Sequence, residues 1–360
     1  MPPRSGSEKR AHRDKDDTAG TALGPPPPSS LVPVPAETQP QLLVFIDAEE
    51  EFDWTKFSPD QTSVRNIAEQ HRAQRLLEGF KCVPTYLTDY PVASQPGGIG
   101  PLRDWLDDGR CLIGAQLHPW VTPPFVHREI TPFLTFAGNL EPELERAKLA
   151  HLTDKIVESF GVQPFVYRAG RYGIGRNTAA FARSLGYRID ASVLPGVDFR
   201  PINGPSFRGF GVLPYWLDQP EGLLEIPLTS AYLGHLSGFG DTLHALADAP
   251  VGRMARIPAI LARTGLLNRV RLSPEGQSCR EAMDLTTALI GRGVRLFSVS
   301  YHSSSLLPGA NPYARTERDV ERLLGWLADY LAFFLGKLGG RTTTPPEVYR
   351  QAARLSAGPS

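Results

Sequence analysis

Few cysteines, no long apolar run and no excess of charge of either sign are found in this sequence, and each absence excludes a class of protein. The three cysteines among 360 residues stand far apart without a C-x-x-C pair, which predicts inert thiols in a reduced compartment. No apolar run approaches the ~18 residues of a membrane span, and the charged start of the chain lacks the apolar core of a signal peptide. A cytoplasmic protein is therefore expected.

The charge balance excludes a second group of functions. The chain has 38 Lys and Arg residues and 38 Asp and Glu residues, so its bulk charge favours neither nucleic acid nor an anionic membrane as a partner. A carbohydrate or another small molecule is the expected partner, and the oligomeric state is left open.

Composition divides the chain into three parts. Residues 1–40 are charged and then rich in Pro, Ser and Ala, which predicts a disordered, extended N-terminal tail. Residues 41–340 alternate apolar runs with segments of helical period and are long enough for one large folded domain. Residues 341–360 are assigned to a C-terminal tail.

Short apolar runs that alternate with helical segments predict a parallel sheet. Seven strands are predicted, at 42–47, 82–88, 111–116, 164–168, 188–193, 223–228 and 294–300. Seven helices are predicted, at 62–79, 101–108, 141–160, 176–185, 251–263, 278–291 and 317–338. Helices of this length between strands imply right-handed crossovers, so the predicted fold class is α/β, a distorted (β/α)7 barrel. The stretch 194–222, rich in Pro and Gly, is predicted to be a loop.

The segment FIDAEEEFDW, residues 45–54, places five acids within seven positions directly after an apolar strand. In parallel α/β folds, the chemistry lies at the carboxyl ends of the strands. Asp47 and Glu49 are therefore expected at the end of the barrel that holds an active site.

Other strands also end in polar side chains that can carry chemistry. They are Gln116 and His118 after the third strand, Arg168 and Arg171 after the fourth, Asp190 in the fifth and His302 after the last. Carboxylate, imidazole and guanidinium groups together supply metal ligands, a base for an attacking water and an acid for a leaving group. This set of groups favours metal-assisted hydrolysis.

Five short pieces of the sequence resemble, in order, the motifs of a known family. These pieces are FIDAEEEFDW, IGAQLHPW, VYRAGRYG, RIDASVLPG and FSVSYHSSS. They resemble the polysaccharide deacetylases with the NodB-homology domain, or carbohydrate esterase family four, across roughly residues 40 to 335, with the WalW-like branch as the nearest match. The resemblance implies a barrel of the glycoside hydrolase/deacetylase type. It also implies a metal-dependent hydrolase of carbon–nitrogen bonds that removes N-acetyl or similar acyl groups from a carbohydrate.

The resemblance implies a catalytic role for four residues. Asp47 matches the catalytic base, and Arg168 matches the arginine that steers the base. Asp190 matches a residue that orients the site, and His302 matches the general acid.

The resemblance also implies a divalent metal, with zinc as the expected ion. Glu49 and His118 match its ligands, with Glu49 in place of the usual aspartate. The family's second motif normally supplies two histidines four residues apart. Here Trp120 or Thr122 stands at the second position, depending on the register, so the ligand set is incomplete.

Two other functions fit the same sequence. A catalytically inactive barrel that binds a glycan or a protein partner is favoured by the missing second histidine. A metal-dependent amidase or esterase on a small non-sugar substrate is favoured by the lack of a secretion signal. Each candidate residue also has an ordinary structural explanation, such as a solvated acidic loop or a surface ion pair. The hypothesis is that all of them meet at one end of one barrel.

Overall fold

The structure is a computed structural model that describes residues 24–127, 129–218, 220–240, 242–243 and 257–357. In these residues the strands are β1 (Gln41–Ala48), β2 (Thr85–Thr88), β3 (Leu112–Leu117), β4 (Val166–Ala169), β5 (Ile189–Asp190), β6 (Tyr215–Trp216), β7 (Leu224–Glu225), β8 (Ser230–Leu233), β9 (Asn268–Arg271), β10 (Leu296–His302) and β11 (Arg341–Thr342). The α-helices are α1 (His71–Gly79), α2 (Tyr90–Ser94), α3 (Pro96–Asp107), α4 (Pro142–Phe160), α5 (Thr178–Ser184), α6 (Ile257–Arg263), α7 (Cys279–Gly291), α8 (Glu317–Ala332) and α9 (Pro345–Ser356).

A curled parallel sheet forms the centre of the fold. Seven of its parallel strands follow the order β10, β1, β2, β3, β4, β5, β7. β6 pairs antiparallel with β7, β11 pairs with the first two residues of β1, and β8 and β9 form a separate antiparallel pair. Each predicted strand overlaps one of the seven parallel strands, and the predicted α/β barrel of the (β/α)7 type is confirmed.

The alternation of side chains along β1 explains why the carboxylate of Asp47 points into the barrel although the strand is mostly apolar. All eight residues of β1 are buried, as expected for a parallel strand covered on both faces. Leu42 and Ile46 join the large apolar cluster shared with the helices, whereas Leu43 and Phe45 join the smaller cluster inside the barrel. Because side chains two residues apart share a face, Asp47 continues this inward series at the end of the strand.

Side chains bridge the gap between the two ends of the parallel sheet. The backbone N–H of Thr229, after β7, donates to Ser298 Oγ at 3.2 Å. In return, the backbone N–H of Ser298, in β10, donates to Thr229 Oγ1 at 2.8 Å. These reciprocal bonds replace part of the missing strand pairing, so β10 stays close to the end of β7.

The two segments predicted as tails pack on the barrel where they are described. Val32 is 4% exposed, and its backbone N–H donates to Pro214 O at 2.9 Å. α9 begins with a capping box at Thr344, and Val348 and Ala352 join the cluster inside the barrel. In their described parts both segments dock on the barrel, because a few apolar residues suffice to hold them. Residues 1–23 lie outside the described residues, and the division into domains stays a prediction.

The predicted helices differ from the observed ones mainly at their ends. The segment predicted as one helix at 62–79 is a 3-10 helix, Arg65–Gln70, followed by α1. The predicted loop at 194–222 contains β6, which is too short to show a period. Part of the predicted helix at 251–263 lies outside the described residues, and its remainder is α6. None of the described helices combines the length and apolar character that a membrane span requires.

Candidate active site

A cavity of about 490 Å³ opens at the carboxyl ends of the parallel strands. Asp47, the second-to-last residue of β1, and His302, the last residue of the neighbouring β10, lie opposite each other in their register. These two residues line the cavity with Glu49, His118 and Arg168. The structure therefore brings together five of the six predicted site residues; the sixth, Asp190, is not among the described residues that line the cavity.

Asp47 and Arg168 form a buried ion pair at the cavity. Arg168 Nη1 donates to Asp47 Oδ1, and the side chains of Asp47 and Arg168 are 2% and 1% exposed. Arg168 also donates from Nη1 to Ser300 Oγ and from Nε to Ala191 O, each at 2.8 Å. A carboxylate fixed by a guanidinium that is itself held in place has the geometry of a positioned base.

His118 presents one ring nitrogen to Glu49 and the other to Glu50. His118 Nε2 lies 3.6 Å from Glu49 Oε2, and Nδ1 lies 2.7 Å from Glu50 Oε2. Burial lowers the pKa of His118 to about 4, so the ring is neutral near pH 7. With Nδ1–H donating to Glu50, the Nε2 lone pair is free to bind a ligand. A carboxylate behind an imidazole is the usual support of a metal-binding histidine.

Three buried polar atoms at the cavity have no hydrogen-bond partner among the described residues. They are Glu49 Oε1, Gln116 Oε1 and Arg168 Nη2. A buried polar group left unpaired costs about 1–3 kcal/mol, so their grouping in one cavity indicates a ligand that is not part of the chain. The Gln116 amide nitrogen lies 3.5 Å from Glu49 Oε2, which places Gln116 beside the Glu49–His118 pair. The oxygens of Glu49 and Gln116 and the Nε2 lone pair of His118 fit a divalent cation, whereas Arg168 Nη2 can only donate a hydrogen bond to a bound molecule.

The negative charges around Glu49 also favour a bound cation. Burial raises the pKa of Glu49 well above its usual value, and the charges of Glu50, Asp47 and Asp89 raise it further. A divalent cation among these acids favours their ionised forms and reverses that direction. A cation held by Glu49 and His118 would offset the repulsion among these carboxylates.

A second group of potential ligands lies behind the cavity. Glu50, Asp89 and His118 each offer an atom within 4.8 Å of one another, so this group can also hold a metal ion. Its oxygens, however, are already bonded: Glu50 Oε1 accepts from Trp120 Nε1 at 2.7 Å, and Asp89 accepts from the backbone N–H groups of Glu50 at 2.6 Å and Val92 at 2.8 Å. Neither acid lines the cavity, so the arrangement favours support of His118 over direct metal binding.

The second motif contributes a single imidazole to the cavity. Trp120 stacks on His118, with ring centroids 4.3 Å apart, and takes a supporting position. Thr122 is buried but does not line the cavity, and His127 is exposed. Neither Thr122 nor His127 replaces the missing histidine. Gln116 lines the cavity beside Glu49 and can offer its amide oxygen instead.

His302 is held by Glu275 and faces Asp47. Its Nδ1 lies 2.8 Å from Glu275 Oε2, its backbone N–H donates to Glu275 Oε1 at 2.9 Å, and its Nε2 lies 3.9 Å from Asp47 Oδ2. Burial lowers the pKa of His302, but the charge and hydrogen bond of Glu275 outweigh this effect, so the net direction is upward. A protonated imidazole at this position can donate a proton to a leaving group.

Asp190 lies behind the site and does not bond to Arg168. It accepts a hydrogen bond from Ser192 Oγ, which in turn accepts from the backbone N–H of Ala169 at 2.8 Å. Burial raises the pKa of Asp190 to about 7. Any orienting role of Asp190 therefore acts through the end of β4, and the direct partners of Arg168 are Asp47, Ala191 and Ser300.

An aromatic wall stands over one side of the cavity. We use this name for Phe52, Trp54 and Phe57, from the loop after β1, together with Tyr313. Trp54 packs edge-on against His302 at a centroid distance of 5.0 Å and against Tyr313 at 5.6 Å. Aromatic walls with a few converging polar groups are typical of small-molecule sites.

Several site residues could not have been found from the sequence. Glu275 follows β9, outside the parallel sheet, and Ser300 is one of many serines. Asp89 follows β2 as the N-cap of α2, where a helix cap explains it fully. Glu50 is the exception, because its place beside Glu49 in the acidic segment made it visible in the sequence.

Comparison with solved structures identifies the fold. The chain has the polysaccharide deacetylase fold: a candidate polysaccharide deacetylase from Mycobacterium smegmatis superposes with a TM-score of 0.53 at 15% identity, over 92% of this chain and 95% of that chain. A domain of carbohydrate esterase family four in a xylanase from the hindgut metagenome of Trinervitermes trinervoides superposes with a TM-score of 0.41 at 8% identity, over 87% of this chain and 91% of that chain. A pseudoenzyme of the same family from Bacillus anthracis gives a TM-score of 0.41 at 8% identity, over 87% of this chain and 66% of that chain.

Sequence comparison adds nothing to this result. Neither a protein-family model nor a curated protein matches the chain. At these levels of identity the structural likeness shows the fold alone, and the WalW-like branch stays a prediction. The activity must be argued from the site.

Proposed function

We propose that the chain is a metal-dependent hydrolase that removes an N-acetyl or similar acyl group from a carbohydrate. The observation that carries this proposal is the grouping of three units at one cavity: the Glu49–His118 ligand pair, the Asp47–Arg168 pair and the histidine at 302. The deacetylase fold and the aromatic wall, which suits the apolar faces of a sugar ring, support it.

Each unit has one task in this hydrolysis. Glu49 and His118, with Gln116 beside them, hold the divalent cation, for which zinc is proposed. When bound, the cation supplies Lewis acidity to the acyl carbonyl and lowers the pKa of a water molecule. Asp47, fixed by Arg168, accepts a proton from the attacking water.

Protonation of the leaving group completes the reaction. As the carbon–nitrogen bond breaks, His302 donates its proton to the departing amine nitrogen, so acetate and a free amine are the products. Glu275 keeps the imidazole oriented and favours its protonated form.

Metal analysis tests the ligand assignment. Purified protein given zinc is expected to hold about one ion per chain, and Glu49→Gln and His118→Ala are expected to weaken binding at least about tenfold, since even supporting residues of metal ligands contribute that much. Elemental analysis and calorimetric titration measure both quantities. The exposed His127→Ala variant serves as the matched control and should bind as the wild type does.

One further variant separates the two groups of potential ligands. If Glu50, Asp89 and His118 held the ion, Asp89→Asn would abolish binding and Glu49→Gln would leave it intact; the opposite order supports our assignment. Wild-type protein that takes up no divalent metal would contradict the proposal.

Acetate release identifies the substrate class. Chitooligosaccharides, peptidoglycan fragments and simple amides are incubated with the metal-loaded protein, and released acetate is measured. Release from sugars alone supports a carbohydrate deacetylase. Release from simple amides alone would favour an amidase on a non-sugar substrate.

The pH profile tests the role of Glu275. Because the pKa of His302 is raised and the acid acts in its protonated form, the rate is expected to fall as pH rises through that pKa. Glu275→Gln removes the raising charge and leaves burial, which lowers the pKa, so the alkaline limb of kcat should move down by about one pH unit or more. The exposed Glu321→Gln is the control. An alkaline limb that stays in place in Glu275→Gln would contradict the assignment of the acid.

A catalytically inactive, glycan-binding barrel is the second candidate. The observation in its favour is that the proposed ligand set contains one imidazole, His118, since a site with fewer protein ligands binds metal more weakly. Saturable binding of chitooligosaccharides without acetate release in the presence of excess zinc would support this function.

A further inference from the structure

Four arginines line the cavity, and carboxylates match only part of their charge. They are Arg168, Arg171, Arg269 and Arg271. Arg168 is paired with Asp47, and Arg271 Nη2 lies 3.6 Å from Glu275 Oε2. Within the described parts of the chain, no carboxylate oxygen comes within 4.0 Å of the guanidinium of Arg171 or Arg269. In the described residues these two guanidinium groups therefore line the cavity without a carboxylate at ion-pair distance.

The backbone that carries Arg171 is strained. Arg171 and Tyr172 follow each other with φ angles of 55° and 61°, in the left-handed region. This conformation costs about 1–2 kcal/mol per residue for side chains other than glycine. The Tyr172 hydroxyl accepts a hydrogen bond from Arg271 Nη1 at 3.1 Å, and its ring stacks on Phe199 at a centroid distance of 5.8 Å. Strain of this kind is typical of ligand sites, because the surrounding structure must maintain it.

The guanidinium of Arg171 is fixed but keeps most of its donors. Its central carbon lies 4.6 Å from the centroid of Phe57 and 4.3 Å from that of Phe136, and Nη1 donates to Thr135 Oγ1. A guanidinium has five N–H donors, and the others of Arg171 have no partner in the described residues. Burial lowers the pKa of Arg171 to about 10.

Arg269 offers a second cation in the same cavity. Its Nη1 donates to the Gly196 carbonyl at 3.2 Å, so the side chain is anchored by a neutral group. Arg269 and Arg271 both belong to β9 and point to the same side of that strand by their spacing of two. The cationic part of the cavity is therefore built from β9 and from the turn after β4.

We propose that the substrate carries an oxyanion group, a carboxylate or a phosphate, which Arg171 and Arg269 bind while the acyl group lies at Glu49 and His118. Arginine suits this role because its planar donors match the oxygens of both groups. The inference rests on the proposed function and adds the substrate class: an acylated amino sugar with a negative charge.

Binding measurements test this inference separately from catalysis. N-acetylglucosamine 6-phosphate, N-acetylmuramic acid and neutral N-acetylglucosamine are titrated into the full chain, with calorimetry and tryptophan fluorescence as readouts. The first two probes distinguish phosphate from carboxylate. We expect at least one of them to bind about ten- to a hundredfold more tightly than the neutral sugar, since hydrogen bonds to charged groups carry such differences. The preference should weaken with salt.

Variants assign the preference to the arginines. Arg171→Met is expected to remove most of it, while the exposed Arg280→Met on α7 should leave it unchanged. Arg269→Met provides a second variant if Arg171→Met unfolds, as judged by circular dichroism. Glu49→Gln should keep the preference, which shows that the anion does not bind through the metal.

The outcomes for the inference and for the proposed function differ. Equal binding of charged and neutral sugars by the wild type, or a full preference in folded Arg171→Met, would overturn the inference even if acetate is released. Anion preference without any acetate release would instead retain the inference and reject the proposed function.

Discussion

Asparagine at position 47 is expected to lower the rate of acetate release by about 10²- to 10⁴-fold, the range that a positioned general base contributes. The side-chain oxygen of asparagine can still accept the hydrogen bond from Arg168 Nη1, but the amide cannot take a proton from water. Asp47→Asn therefore removes the proton acceptor and retains most of the contacts of this side chain.

A residue of the same acidic segment provides the control. Asp53 is exposed, and its carboxylate bonds to Thr55 within its own loop, so Asp53→Asn should release acetate as the wild type does. Metal content is measured for both variants. If Asp47→Asn bound metal normally and kept its kcat, the base would have to be another residue.

The sequence was sufficient for the parallel strands because buried strands leave a local signal. Each is a short apolar run between helical segments; β1 and β10 are the longest, and β1 and β3 lie closest to their predicted bounds. β6 and β11 were not predicted and have two residues each; β5 and β7 are equally short but lie within the longer predicted runs 188–193 and 223–228. The docking of α9 also depends on a few apolar contacts that composition does not reveal.

The candidate site was predictable where it follows from strand ends. Asp47, His118, Arg168 and His302 share one rim because parallel strands point the same way, so their position in the sequence was enough. Asp190 shows the limit of this rule, since its side chain turns away from the cavity. The position of a residue at a strand end predicts which end of the barrel it occupies, but not the direction in which its side chain points.

The residues that support the site depend on contacts between distant segments. Glu275 bonds to His302 across 27 positions of the chain, and Glu50 bonds to His118 across 68. No local pattern encodes such pairs. The arginines of β9 were missed for the same reason, because β9 belongs to a separate two-stranded sheet with no period of its own strong enough to predict it.

Arg168→Met is expected to destabilise the fold by about 3–5 kcal/mol, the usual effect of removing one partner of a buried ion pair. The variant leaves the carboxylate of Asp47 buried without its main donor and also removes the hydrogen bonds to Ser300 and Ala191. Urea unfolding followed by fluorescence and circular dichroism gives the free energy of unfolding. An exposed pair, Arg280 with Asp284, provides the control, and Arg280→Met should have little or no effect.

The double variant Asp47→Asn with Arg168→Met separates the ion pair from the remaining contacts. Once the buried charge at position 47 is gone, removing the guanidinium costs less, so the double variant is expected to be more stable than the sum of the two single effects predicts. Purely additive effects would show that the two side chains are not coupled, and Arg168 would then contribute to stability only through Ser300 and Ala191. A measured coupling energy would instead show that Asp47 and Arg168 stabilise the fold together. Such coupling is what a general base requires if it is to keep its position while it is protonated and deprotonated.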